Sequence, residues 1–276
     1  MFRQTRHCWI WILLLAACAC GGCKKDAPPP ELAHKRAAEA MAPIGANRTQ
    51  LVTVVSKQWD EFRATLRRFE RTPQKRWKSV GPSVEVVLGR EGYGWGRVLQ
   101  GTSAPPGRPG PIKREGDGRS PAGVFGIGNA YGYAPTRDDL SLPYAQASDE
   151  LRCVDDPQSR HYNQIVSTED AEPDWQSAEY MRREDDIYVL TIVVEHNTVE
   201  TKPGAGSCIF IHLWEGPDKG MSGCTAMPMD ALEELAAWLQ PGAVLVSLPH
   251  AEYEALKRPW GLPAAPQLGA RDSQRR

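Results

Sequence analysis

The chain has 276 residues, and its 33 lysines and arginines almost balance its 34 aspartates and glutamates, giving a formal net charge of -1 at pH 7. This balance offers no basic surface for a phosphate backbone, so nucleic acid is not an expected partner. The length is sufficient for one sizeable hydrophobic core.

The amino terminus has the composition of a secretory signal peptide over residues 1–17. Arg3 and Arg6 supply its positive region, and the apolar run that ends at Ala17 is too short to cross a bilayer as a helix. The sequence Leu-Ala-Ala-Cys18 resembles a bacterial lipobox and predicts lipidation of Cys18, which would anchor a periplasm-facing protein to a membrane. The alternative is ordinary signal cleavage near Ala17 or Ala19.

The rest of the chain divides into a tether, one domain and a tail. Residues 18–49 are rich in alanine, proline and polar residues, which is typical of a flexible linker. Residues 50–258 are predicted to form the folded domain. Residues 259–276, rich in proline and small or polar residues, are expected to be loosely ordered.

Most of the domain is predicted to be β-strand. The segment Gln50–Ser56 is short, apolar and β-branched, which is typical of a buried strand. Glycine and proline occur at nearly every junction between such segments. Further strands are predicted at Phe62–Arg71, Trp77–Val80, Ser83–Leu88, Ala122–Ile127, Ile187–Glu195, Cys208–His212 and Ala243–Leu248.

Two helices are also predicted. The first spans Trp175–Arg183 and has Asp174 in the N-cap position. The second spans Ala231–Gln240, opens at Asp230 with a pattern similar to a capping box, and ends before a Pro-Gly pair. Its apolar face, expected to pack on the sheet, is formed by Leu232, Leu235, Ala236 and Leu239.

The segment between His212 and Cys224 carries the clearest chemical signal. His212 closes a predicted strand, and Cys224 follows a Ser222-Gly223 turn. A thiol needs a nearby base and a lowered pKa to be a good nucleophile near neutral pH. Gly223 permits a tight turn and leaves its N–H available for an oxyanion hole. The alternative is a buried or disulfide-bonded cysteine and a histidine that only ends a strand.

The same segment resembles the active site of the L,D-transpeptidase catalytic-domain family, cysteine enzymes that cross-link bacterial peptidoglycan. Residues 113–127 resemble the family's Ser-Pro-x-Gly-x-Phe-x-Ile strand with its basic, glycine-rich lead-in. Residues 153–163, 175–181 and 193–197 are similar to segments that one branch of the family carries. Two departures are apparent: Ala226 stands where many members have arginine, and the loop from histidine to cysteine is shorter than in many members.

The resemblance implies a mainly β fold, a sandwich or barrel with a few short helices. It also implies an L,D-transpeptidase that acts on peptidoglycan stem peptides, with Cys224 as the nucleophile and His212 as its base. The main-chain carbonyl of Leu213 would orient His212, and the N–H groups of Gly223 and Cys224 would form the oxyanion hole. A carboxypeptidase or cross-link hydrolase using the same pair, and a non-catalytic peptidoglycan-binding lipoprotein, are the alternatives.

Four other residues are candidates for contact with the substrate. Ser222 lies in the turn before the cysteine. Arg114 and Arg119 could bind carboxylates of the stem peptide, or they could lie in a solvated loop. His196 ends an apolar strand and could touch the substrate or have a structural polar role.

No metal or cofactor is expected. The set of His196, Cys208, His212 and Cys224 matches no standard zinc spacing. In an oxidising envelope Cys153 and Cys208 could pair and leave Cys224 free, but the sequence alone leaves this pairing open. The sequence carries no signal for an oligomeric state.

Overall fold

The computed structural model describes residues 44–97 and 104–267. The predicted signal peptide, the lipidation site at Cys18, the tether up to residue 43 and the tail from residue 268 lie outside the described residues. Within the described ranges, neither helix has the length and apolar character needed to cross a bilayer. The fold is mainly β, which confirms the predicted class.

The described residues form thirteen strands and two helices. The strands are β1 Gln50–Ser56, β2 Arg63–Arg71, β3 Trp77–Val87, β4 Tyr93–Trp95, β5 Ser120–Gly132, β6 Tyr144–Gln146, β7 Leu151–Val154, β8 Ile165–Ser167, β9 Ala178–Tyr180, β10 Leu190–Val194, β11 Phe210–Leu213, β12 Thr225–Met227 and β13 Val244–Pro249. The helices are α1 Met229–Trp238 and α2 His250–Trp260.

Eight of the strands close into a ring. Their order is β5, β10, β11, β12, β3, β2, β1 and β13, and β13 pairs again with β5. The pairs β1–β13 and β11–β12 are parallel, whereas the other pairs in the ring are antiparallel. Strands β4 and β6 extend the sheet from β5. The ring places β11, which ends after His212, beside β12, which follows Cys224.

The core lies inside this ring and under the helices. Every residue of β1 is buried, as expected for a central apolar strand. Helix α1 buries Leu232, Leu235 and Ala236, and Leu239 just beyond it is also fully buried. The apolar face predicted for this helix is therefore confirmed.

The predicted strands Trp77–Val80 and Ser83–Leu88 are joined into the single strand β3. The pairing with β2 shifts register between Leu66 and Arg68, where a bulge accommodates Gly81 and the proline that follows it. Gly81 has a φ of 65°, a conformation that glycine adopts at little steric cost.

The helix predicted at Trp175–Arg183 is wrong. Residues Ala178–Tyr180 form β9 and pair with β7. The Asp174 carboxylate accepts hydrogen bonds from the Ser159 hydroxyl and the Arg160 N–H, so it does not cap a helix. Pairing with β7, together with the hydrogen bonds from the turn before β8 to Asp174, therefore prevails over the local sequence pattern that favours a helix.

Helix α2 was not predicted. It follows β13 directly and buries Tyr253 and Leu256. Gly261, which follows its last residue, has the left-handed conformation common after a helix, and Leu262 beyond it is only 8% exposed. The predicted tail from residue 259 therefore begins in the last turn of α2.

A second, three-stranded sheet has the order β8, β7, β9. A disulfide between Cys153 of β7 and Cys208 ties this small sheet to the segment that enters β11. The pairing considered from the sequence is therefore confirmed, and Cys224 is the free cysteine among the described residues.

Loss of this disulfide should destabilise the protein. The two cysteines are 55 positions apart, and opening a loop of that length should cost roughly 4 kcal/mol because the unfolded chain regains entropy. We expect the double variant Cys153→Ser/Cys208→Ser to lose about this free energy of unfolding in a denaturant titration. Reduced wild type should show the same loss, and Cys224→Ser, which keeps the disulfide, should not. A midpoint equal to that of oxidised wild type would contradict the prediction.

Candidate active site

The parallel pair β11–β12 brings the cysteine and the histidine into one neighbourhood. His212 pairs with Ala226, two residues after Cys224. Because the two strands run in the same direction, both begin at the same edge, and Cys224 lies beside Phe210 at the start of β11. The Phe210 N–H donates a hydrogen bond to the Cys224 sulfur over 3.4 Å.

The thiol of Cys224 is held in a fixed position. It donates to the carbonyl oxygen of Cys208 over 3.6 Å and is part of a residue that is 7% exposed. The Ser120 hydroxyl donates to the Cys224 carbonyl oxygen over 3.1 Å and accepts from the Gly89 N–H over 2.9 Å. Ser120, at the start of β5, is therefore a support for the cysteine that the sequence analysis missed.

The turn before Cys224 is tightly anchored. Met221 donates to the Leu88 carbonyl and accepts from the Arg90 N–H, each over 2.7 Å. A Cβ atom on Gly223 would lie 3.2 Å from the Arg119 carbonyl oxygen and 3.3 Å from an Ile209 methyl carbon, so a side chain there would force its neighbours to move. In the described part of the chain, the N–H groups of Gly223 and Cys224 donate no hydrogen bond.

His212 is 2% exposed, and its ring is held by the main chain. Its Nδ1 lies 2.7 Å from the Leu213 carbonyl oxygen, the contact that the resemblance implies. Because a carbonyl can only accept, Nδ1 carries the proton and Nε2 keeps its lone pair. The tautomer is therefore the one that a base acting through Nε2 requires.

The Cys224 thiol and the His212 imidazole are both neutral in this buried site near pH 7. Burial raises the pKa of the Cys224 thiol, and the charge of Glu179 raises it further, whereas the Phe210 N–H, Lys113 and Tyr188 lower it. Burial lowers the pKa of His212 to about 4. A thiol and an imidazole are therefore present at neutral pH, rather than a preformed thiolate–imidazolium pair.

Tyr188 lies against His212 and is buried in the same cluster as Cys224. Its ring meets the His212 ring edge-on, with centroids 5.1 Å apart. The hydroxyl also donates to the carboxylate of Glu179 on β9. No hydrogen bond joins His212 directly to Cys224 within residues 44–97 and 104–267.

Sequence reasoning missed Tyr188 and Glu179. Tyr188 lies in the predicted strand Ile187–Glu195, with nothing in the local pattern to mark it. Glu179 belongs to residues 175–181, one of the segments that carried the family resemblance, and that was the available signal.

The residues predicted to bind the substrate differ in their exposure. Ser222 and Arg114 are exposed. Arg119 is half-buried and donates to the Tyr93 carbonyl oxygen over 2.9 Å, while its own backbone packs on Gly223.

His196 is 1% exposed and has a structural environment. Its Nε2 lies 3.0 Å from the Ala205 carbonyl oxygen, and its ring meets Phe125 edge-on. Burial lowers its pKa to about 4. Among the described residues, no hydrogen bond or ring contact links His196 to Cys224.

Lys113 is a buried cation that the sequence analysis did not single out. Its side chain is 3% exposed, and its ammonium group donates to Asp117 over 2.6 Å and to the Arg114 carbonyl oxygen over 2.5 Å. Its charge is one of the influences that lower the pKa of Cys224.

The described residues contain no group of three or more histidine, cysteine, aspartate or glutamate side chains arranged to hold a metal ion. Cys208, one of the four residues weighed as metal ligands, is taken up by the disulfide. The expectation that no metal takes part stays a prediction.

Comparison with known families gives one match. The family model YkuD, described as the L,D-transpeptidase catalytic domain, matches residues 75–247. This range includes β3 to most of β13 and contains both His212 and Cys224. No curated protein matches the chain, and no solved structure does.

Proposed function

Because the chain belongs to the YkuD family of L,D-transpeptidase catalytic domains, we propose that it is a cysteine-dependent L,D-transpeptidase that acts on peptidoglycan stem peptides. The observation that carries the proposal is the free, anchored thiol of Cys224 beside a histidine whose Nε2 lone pair is available. A module that only binds peptidoglycan has no need of such a pair.

Cys224 attacks the carbonyl carbon of the amide between the third and fourth residues of the stem. A C–S bond forms as the C–N bond breaks, and the terminal D-amino acid leaves as its free amine. His212 takes the thiol proton as attack proceeds and passes it to the departing nitrogen. An amine of another stem then attacks the thioester and regenerates the thiol.

The neutral state of the pair fits this sequence of proton transfers. A buried thiol loses its proton only when the base accepts it during attack, which is general base catalysis. The N–H groups of Gly223 and Cys224 are the proposed donors to the oxyanion of the tetrahedral intermediate.

Ser222, Arg114 and Arg119 remain candidates for binding the stem. Ser222 is exposed in the turn before Cys224, and Arg114 is exposed in the basic segment before β5. A carboxylate of the stem could therefore reach either side chain. His196, buried against Ala205 and Phe125, is better explained by a structural role.

The test uses the full-length protein purified in detergent and a disaccharide-tetrapeptide stem. We expect a mass increase on Cys224 equal to the stem without its terminal residue, release of the D-amino acid, and cross-linked dimers. Tripeptide alone would assign the protein as a carboxypeptidase with the same nucleophile. Absence of both the adduct and the released amino acid would contradict the proposal.

We also propose that the protein is a lipoprotein anchored through Cys18 and facing the periplasm. The support is the apolar run followed by Leu-Ala-Ala-Cys18. The 18–49 tether would hold the domain near its membrane.

Replacing Cys18 with alanine should therefore move the protein from the membrane fraction to the soluble fraction. Cys20→Ala is the matched control, because it removes a neighbouring thiol and leaves the lipobox intact. The measurement is immunodetection after fractionation of cells. Equal membrane retention of both variants would contradict the anchor, and ordinary cleavage near Ala17 or Ala19 would replace it.

A further inference from the structure

One end of the molecule carries a groove that the proposed reaction does not use. The turn between β2 and β3 supplies Lys75 and Arg76 to this groove, and the last turn of α2 supplies Lys257 and Arg258. Trp77 lines it as well, and its indole N–H donates over 3.0 Å to the main chain just after α2. We call this feature, defined by these five residues, the basic groove.

Most cations of the basic groove have no carboxylate partner. Among the described residues, the side chains of Lys75, Arg76 and Arg258 are exposed and form no ion pair. Lys257 does pair, with Glu254. The formal net charge of the whole chain is -1, so the excess of positive charge belongs to the groove and not to the protein in general.

Three half-buried tryptophans lie at this end of the molecule. Trp77 lines the groove, Trp260 is the last residue of α2, and Trp238 is the last residue of α1. The Trp238 indole N–H donates to Glu70 near the end of β2 over 2.8 Å. Tryptophan combines an apolar ring with a polar N–H and is enriched where proteins meet the headgroup layer of a membrane. Cations and tryptophans together are typical of a surface that rests on an anionic bilayer.

The chain also enters the domain at this end. The Thr49 carbonyl oxygen accepts from the Arg71 N–H over 2.8 Å, and the Arg71 guanidinium lies over the Trp77 ring, 4.1 Å from its centroid. The segment that leads from the predicted lipidation site therefore ends beside the basic groove. A flexible linker of the length of residues 18–43 extends about 30 Å on average, which lets this end of the domain reach the bilayer.

The cysteine turn lies at the opposite end of β3. Trp77 begins this strand beside the basic groove, whereas Val87 ends it and pairs with Ala226, two residues after Cys224. The strand has 11 residues, and a rise of about 3.3 Å per residue makes it roughly 30 Å long. A domain that rests on its basic groove therefore holds Cys224 away from the bilayer.

We propose that the basic groove and the tryptophans around it are the membrane-facing surface of the domain, which binds the anionic phospholipid headgroups of the bilayer that carries the Cys18 anchor. The inference rests on the proposed lipid anchor and not on the chemistry of Cys224. Headgroup phosphates accept hydrogen bonds from the lysine and arginine side chains, and the indoles enter the headgroup layer. The anchor holds the protein at the membrane, and the groove directs the cysteine turn toward the peptidoglycan.

The test is acetylation of lysines in the full-length protein, reconstituted through its anchor into vesicles and analysed by peptide mass spectrometry. We expect Lys75 to react about fivefold more slowly in vesicles of phosphatidylcholine with phosphatidylglycerol than in phosphatidylcholine alone. Salt at about 1 M, where the Debye length is about 3 Å, should remove this protection. Exposed Lys57, beyond the far end of β1, and exposed Lys202 should react equally in both. Equal slowing of these two lysines, or no slowing of Lys75, would overturn the inference.

A second measurement does not depend on lipidation. At low ionic strength the full-length Cys18→Ala chain should co-sediment with the anionic vesicles. Adding Lys75→Gln/Arg76→Gln should weaken this binding about tenfold or more, since each basic residue near such a surface strengthens binding about fivefold. The control Lys57→Gln/Lys202→Gln removes two exposed cations outside the groove and should bind like its parent. Equal losses in the two double variants would show that binding follows net charge alone, which contradicts the inference.

Inorganic phosphate distinguishes a membrane surface from a site for a free anion. At matched ionic strength, phosphate should displace the protein from anionic vesicles no better than chloride does. Displacement by phosphate alone would assign the groove to a soluble phosphate ligand and would reject the membrane surface.

The anchor, the groove and the chemistry can fail separately. If wild type did not enter vesicles while groove-dependent co-sedimentation occurred, the proposed anchor would be wrong and headgroup binding by the groove would stand. Anchored protein with equal acetylation of Lys75 in both vesicles would reject the inference alone. Acylation of Cys224 in detergent should be the same in Lys75→Gln/Arg76→Gln as in wild type, because these residues lie at the other end of β3.

Discussion

Replacing Cys224 with serine is expected to reduce turnover on tetrapeptide stems to background. The hydroxyl is a far weaker nucleophile than the thiol, and its higher intrinsic pKa makes transfer of its proton to His212 less favourable. The change in side-chain volume is small, and Ser120 would still hold the carbonyl of residue 224. The expected readout is loss of D-amino acid release and of the mass adduct.

The melting temperature of Cys224→Ser distinguishes loss of the nucleophile from a folding defect. The Cys153–Cys208 disulfide does not involve Cys224, so the melting temperature of Cys224→Ser should stay close to that of wild type. Cys20→Ser is a matched control that removes a thiol elsewhere in the chain. More than a few per cent of activity in Cys224→Ser would show that another group is the nucleophile.

Replacing His212 with alanine is expected to slow acylation of Cys224 by about 10²–10⁴-fold, the usual contribution of a general base. Burial lowers the pKa of His212 to about 4, so its neutral, basic form is present throughout the neutral range. The loss should be largest near neutral pH and shrink as the pH rises, because a thiolate formed by hydroxide needs no base.

Acylation by a carbapenem, followed by intact mass, measures this rate without an acceptor. His250→Ala, which removes a histidine at the start of α2, is the control and should label at the wild-type rate. If His212→Ala were labelled as fast as wild type near pH 7, His212 would have no part in the proton transfer.

The parts of the molecule that the sequence predicts best are those with local signals. Strand β1 has the bounds expected from its apolar, β-branched run, and α1 begins and ends within two residues of its prediction. His212 and Cys224 were singled out because strand, turn and glycine occur together in a short stretch. Parallel pairing of β11 and β12 then brings that stretch together in space.

The parts that were missed depend on contacts between distant segments. The edge of β7 converts Ala178–Tyr180 into a strand, although the local pattern favoured a helix. Tyr188 reaches His212 because the segment before β10 lies against β11, where the Leu213 N–H donates to the Ile187 carbonyl oxygen over 3.2 Å, and Glu179 is joined to it through the Tyr188 hydroxyl. Closure of the ring by β5 and β10 includes a register shift that no periodicity indicates.

Because the disulfide lies close to the reactive thiol, oxidative folding can produce more than one disulfide isomer. Three cysteines of the domain can form three different single cross-links, and only the Cys153–Cys208 bond leaves Cys224 reduced. Since the Cys208 carbonyl accepts from the Cys224 thiol in the native state, the wrong partner is also a near neighbour. A preparation oxidised before β12 has docked on β11 would thus contain molecules of normal mass and no activity. A redox couple that reshuffles disulfides should restore them.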